Sequence, residues 1–205
     1  LIKRSFKKAM APRRYRPDRR AETTEATRRR IVEATFALHT EQGIATTSMK
    51  QIAARAGVSV GTVYHHFPTY EDAVRACGAH TLALAPPPGP DIFDGAAAVP
   101  DRLRRLARAV FAWYARLPAF ERARCDQHLV PALRGFVAEE ERNRLALTRE
   151  ALRPAGIAEP RVAVAAALLD AAVLANLTRN GFTPEDAADE IARVITAALP
   201  GAQSP

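Results

Sequence analysis

The chain has 205 residues, 48% of them hydrophobic, with a formal charge of +8; this is enough apolar material for a buried core and excludes a wholly disordered chain. The longest apolar run, Val162 to Leu169, falls far short of the roughly 20 residues that cross a bilayer as a helix. Two cysteines, Cys77 and Cys125, are too few for a disulfide framework, and no apolar signal-peptide core follows the basic start, so a reducing cytoplasm is the expected setting.

The charge is unevenly placed. Residues 1–23 hold nine basic and two acidic side chains, residues 24–84 six and five, and residues 85–205 fifteen of each. The excess therefore sits in an N-terminal arm, KRSFKKAMAPRRYRPDRR, expected to be flexible. Such an arm suits phosphate binding, and it reads equally well as a solvated tail.

From Thr24 the pattern turns helical, with Ile31, Thr35 and Leu38 on one stripe, Val32 and Phe36 beside it, and a stop at Gly43. Thr46, Thr47 and Ser48 offer caps for a short second helix carrying Met49, Ile52, Ala53 and Ala56, which Gly57 ends. Ser59 caps a third helix. Phe67-Pro68 ends it, because proline disfavours helical geometry in the residue before it, and Thr69 caps a fourth helix through Leu84. Ala85 to Pro100, with APPPGP and GAAAVP, reads as a linker or long loop. Helices are expected beyond it at about 101–117, 119–130, 131–153, 158–180 and 184–199. No segment alternates with period two. The expected fold class is all-α: a small N-terminal domain of three helices with a linking fourth helix over 24–84, then a helical bundle over 85–205.

Residues 49–66 fit a helix-turn-helix. Ala53 is small where two helices cross, Gly57 supplies a turn needing positive φ, and Ile52, Val58 and Val63 form the inner faces. Such a unit lays the N-terminal part of its second helix in the major groove. Gly61 would then permit close backbone approach, Val60 and Thr62 would offer a methyl or hydroxyl to base or phosphate, and Tyr64 and His65 would donate to phosphate oxygens.

At these residues the chain resembles the TetR family of transcriptional regulators, whose pattern T-S-x-x-x-I-A-x-x-A-G-V-S-x-G-T-[LV]-Y-x-H-F-x-x-K-E appears here as TSMKQIAARAGVSVGTVYHHFPTYED. The resemblance spans about residues 28–75. It implies a homodimer on a palindromic operator, a repressor released by a small ligand, and an all-helical C-terminal domain. Carried over by position, Thr47 and Ser48 correspond to phosphate contacts, and Gly61, Thr62, Tyr64, His65 and His66 to recognition-helix contacts. Where the family usually has a phosphate-clamping Lys, this chain has Tyr70, whose hydroxyl would bind phosphate without releasing a counterion. His39 replaces a commonly aromatic core residue, and Ala73 a usual Leu.

Nothing after Ala85 has catalytic spacing, and no cofactor is implied; an enzyme is not expected. The small-residue run AVAAALLDAAVLANL and the last helix, with Ile191, Val194, Ile195 and Ala198, match the position of the family's dimer bundle. Pocket candidates on the middle helices are Phe111, Trp113, Tyr114, Phe120 and Phe136, with Cys125, His128 and Asn143 as polar members, pointing to a largely apolar effector. Two C-x-x-H pairs, Cys77 with His80 and Cys125 with His128, share helix faces but fall short of a metal ligand set. The alternative left open is a DNA-binding protein with no small ligand, controlled by a partner protein.

Overall fold

The computed structural model describes residues 17–117 and 119–199. Among these residues it contains ten α-helices, two short 3-10 turns and no strand. Residues 1–16, which hold most of the basic arm, lie outside the described part. The first helix, α1 (Pro17–Gln42), starts seven residues before the expected Thr24. A proline at the first helical position loses no internal hydrogen bond, and no glycine or proline follows it until Gly43.

Three further helices fold against α1: α2 (Met49–Ala56), α3 (Val60–His66) and α4 (Tyr70–Leu84). Their boundaries follow local chemistry. Ser48 caps α2 and Thr69 caps α4, each in a reciprocal box with the residue three further on, Gln51 and Asp72. Gly57 ends α2 in the left-handed region at φ 64°, and Val58 N returns a 3.1 Å hydrogen bond to Ala53 O. Arg30 of α1 donates to Ala56 O at 3.0 Å, satisfying a further carbonyl at that end. The core beneath is Ile31, Val32, Leu38, Met49, Ile52, Ala53, Val63, Phe67 and Ala73.

The second, larger core belongs to α5 (Val99–Ala115), α6 (Ala119–Asp126), α7 (Ala132–Leu152), α8 (Glu159–Leu168), α9 (Ala171–Arg179) and α10 (Pro184–Ala197). The connecting segment is no bare linker. Its 3-10 turn Pro90–Phe93 buries Phe93 in that core, and Arg102 lies over the Phe93 ring at 4.4 Å while bonding Ala96 O. On α10, Ile191 and Ile195 belong to the same core, and Val194 is exposed.

The single helix expected over 158–180 is two helices, bent by 42°. The break follows from one buried carboxylate. Asp170 caps α9 by accepting from Ala172 N at 2.9 Å, and it pairs with Arg144 at 3.1 Å and with Arg124 of α6. Arg144 also donates to Ala166 O, occupying a carbonyl at the end of α8. The small-apolar run hid an N-cap aspartate, and charge pairing fixed the bend there.

Candidate nucleic-acid interface and ligand cavity

Ser59 Oγ caps α3, accepting from Thr62 N at 3.1 Å and sharing a 2.8 Å hydrogen bond with the Thr62 hydroxyl. Val63 is the one buried residue of this helix and anchors it to the core. Val60 and Tyr64, one turn apart on the same face, are 38% and 48% exposed. Gly61 sits beside them with ordinary helical backbone. A β-carbon there would meet only Ser59 Oγ, at 3.7 Å. The chain's own packing therefore has no need of glycine at 61, although glycine costs a helix up to about 1 kcal/mol relative to alanine. His65 is exposed and His66 half-buried, its ring 6.4 Å from that of Phe67. Burial, then the neighbouring His65 and Arg28, hold the His66 imidazole below its usual range.

Two expected phosphate contacts are placed otherwise. Thr47 is buried, and its hydroxyl donates to Gly43 O at 2.7 Å, closing the turn after α1. The Tyr70 hydroxyl also turns inward, donating to Ile44 O at 2.5 Å and lying 2.9 Å from His39 Nε2. With its one proton given to Ile44 O, Tyr70 must accept from His39, so that imidazole carries its hydrogen on Nε2. Burial pushes the Tyr70 phenol well above its usual range and the His39 imidazole down to about 4, so the pair is neutral. An uncharged aromatic pair has taken the position of a surface clamp. Lys50, missed in the sequence reading, is exposed in the first turn of α2, next to the exposed Ser48, where no acidic residue complements the helix dipole. A cation at a positive helix end was the available signal.

Between α1 and α4 on one side and α6 and α7 on the other lies a cavity of about 570 Å³. Phe36, Cys77, Leu82, Phe120, Leu133 and Phe136 give it an apolar lining. Gly78 of α4 and Gly135 of α7 also border it, and a β-carbon at either would meet nothing within 4 Å. Gly78 interrupts the middle of its helix at a cost of about 1 kcal/mol against alanine, and Gly135 stands in the first turn of α7. Both leave room on the cavity side.

Residues 31–77, covering most of α1 through α3 and the first half of α4, match the model of bacterial regulatory proteins of the tetR family. The chain carries a TetR-family domain. Solved structures extend the likeness to the bundle. SCO7518 of Streptomyces coelicolor A3(2) is 26% identical with a TM-score of 0.60, covering 83% of this chain and 98% of its own. The multidrug binding protein EbrR, solved with proflavin, is 25% identical with a TM-score of 0.57 over 84% of this chain and 99% of its own. The fatty acid degradation regulator FadR of Bacillus halodurans, at 17% identity and a TM-score of 0.62 over 85% and 96%, shares the fold. No curated protein matches the chain by sequence.

In this chain the pocket candidates divide. Phe120 and Phe136 line the cavity with their rings 5.5 Å apart. Phe111, Trp113 and Tyr114 are instead buried core: Trp113 Nε1 donates to Ala85 O at 2.8 Å, and the Tyr114 hydroxyl donates to Glu140. Asn143 is spent on Pro88 O, and Cys125 and His128 are exposed outside the cavity. Cys77 is on the cavity wall, but burial pushes its thiol up to about 11, and His80 packs edge-on against Phe36. No group of three or more potential metal ligands forms among the described residues. The pocket expected from the sequence lies inside the bundle; the cavity lies at the junction, where residues of α1 and α4 supply half the wall. Short α6 ties that junction together. Phe120 and Ala123 face the cavity, Asp126 accepts from Ala45 N at 3.0 Å, and Arg124 pairs with Asp170.

Proposed function

We propose that this TetR-family regulator is a repressor, binding a palindromic operator as a homodimer and leaving it when a small, largely apolar effector fills the junction cavity. The observation that carries the reading is the position of α4. It forms one wall of the cavity, and its first residue follows α3 by only Phe67, Pro68 and Thr69. A ligand wedged between α4 and α6–α7 acts on the element that positions the recognition helix. Two recognition helices must fit grooves about one helical turn apart or multiples of it, so a state with altered α4 binds DNA differently. The driving force is the ligand's preference for that state.

On this reading Val60, Gly61, Thr62, Tyr64, His65 and His66 meet the groove and its phosphates, and Ser48 and Lys50 meet the backbone beside it. The dimer forms through exposed small and apolar residues of α8 and α10, Ala163, Val164, Ala167, Val194 and Ala197. Ligand complexes of the structural neighbour EbrR support the effector half of the proposal.

Selection of duplexes from a random pool, followed by gel shift, tests it. The selected sites should be two-fold symmetric, and Val60→Ala with Tyr64→Ala should cost at least tenfold in affinity. Absence of sequence preference, or selected sites without symmetry, would sink the operator reading. Light scattering of Val164→Glu, expected to be monomeric where the parent chain is dimeric, tests the assembly.

A further inference from the structure

The chemistry of the cavity wall also selects the charge of its occupant. Resting on the effector reading above, we propose that the effector is an apolar organic acid, an alkyl or aryl body with one carboxylate, and that Arg116 receives that carboxylate at the cavity's solvent edge.

The groups on the wall differ in what they have left to offer a ligand. No Asp or Glu lines the cavity among the described residues, so a cationic ligand would find no counter-charge there. The polar side chains that do line it are largely spent. Thr40 donates to Phe36 O and Thr81 to Cys77 O, each within its own helix. His39 is neutral, with its Nε2 hydrogen given to Tyr70. The Cys77 thiol stays protonated and is a weak donor. Arg75 is held by Asp72 at 2.8 Å and Glu71 at 3.6 Å. Arg116, at the C-terminal end of α5, is different. It is exposed, it lines the cavity, and its guanidinium has no hydrogen bond or ion pair among the described residues. The wall thus offers one uncommitted strong donor, a guanidinium whose fork matches a carboxylate, beside rings and aliphatic side chains that take an apolar body.

The test uses a matched series differing only in head group: decanoate, decanol and decylamine. Binding is followed through the emission of Trp113, the sole tryptophan, whose ring lies 5.6 Å from that of Phe120 on the cavity wall. Decanoate should bind about tenfold more tightly than decanol, and decylamine more weakly than either. Arg116→Gln should bring decanoate down to the level of decanol and leave decanol unchanged, and Arg116→Lys should restore part of the difference. Equal binding of decanoate and decanol, or an equal loss of both in Arg116→Gln, overturns the assignment of charge while leaving the cavity as effector site. If none of the three binds to the parent chain, or if Gly78→Leu, which fills the cavity, leaves all three unaffected, the cavity reading itself falls and the inference with it.

Discussion

Two regions of this molecule give up side chains for no internal reason, and they face opposite ways. On α3, Gly61 lies beside outward-facing Val60 and Tyr64, so the space it leaves opens to solvent. On α4 and α7, Gly78 and Gly135 leave their space to a cavity inside the molecule. Each glycine weakens its helix, and neither space is filled by the chain itself. On the proposed function, one region would accept a large rigid surface from outside and the other a small apolar body within. The fifteen residues of α4 join the two.

The comparison can be broken first at the support of the inner region. Asp170→Ala removes the shared partner of Arg124 and Arg144 and the cap of α9, leaving the buried Arg144 with Glu140 as its one remaining carboxylate; a loss of about 2 to 4 kcal/mol is expected in urea unfolding. A loss under about 1 kcal/mol would mean that the bend does not depend on this carboxylate. Next comes the seam between the regions. Burial pushes the His39 imidazole from its ordinary 6.5 down to about 4 in the folded chain, so the unfolded chain takes up the proton first as pH falls. Stability is complete above pH 6.5 and declines toward pH 4, by about 3 kcal/mol over the window. The same titration series on His39→Gln should be flatter, and an identical slope would assign the acid sensitivity elsewhere.

Smaller effects sharpen the contrast itself. Gly61→Ala should preserve or slightly raise the melting temperature while weakening operator binding about tenfold in gel shifts, because the added methyl fits the chain but not a closely approached groove. Undiminished DNA binding would remove the outward glycine from the interface. Gly78→Ala should stabilise the chain by about 0.5 to 1 kcal/mol and leave operator affinity alone, with effector affinity reduced. A destabilised Gly78→Ala would show that this glycine answers to the fold after all.

The two regions were not equally legible. Ser48, Gly57, Ser59, Thr69 and the Phe67-Pro68 step are local signals, each acting over three or four residues, and the structure uses them where the sequence puts them. The orientation of Thr47 and Tyr70 was not local. Whether a hydroxyl points to a phosphate or to a carbonyl depends on the turn at Gly43 and on His39, 31 residues away. The pocket was harder still. Rings at Phe111, Trp113 and Tyr114 have the same composition as rings that line a cavity, and only the packing of α5 into the core tells them apart. The signal at Lys50 is local: a cation stands in the first turn of a helix that has no acidic residue there.

The sequence by itself determined α2, α3 and α4 with their caps, and so the helix-turn-helix and its exposed edge, because capping, proline and glycine effects and 3.6-residue periodicity are decided between near neighbours. Tertiary structure decided the bend at Asp170, the inward Tyr70 and the location of the cavity. Each of these depends on groups far apart in the chain: Arg124 and Arg144 on Asp170, His39 and Ile44 on Tyr70, and four separate helices around one space. Burial and charge pairing between such groups exist only once the chain has folded, and no spacing along it encodes them.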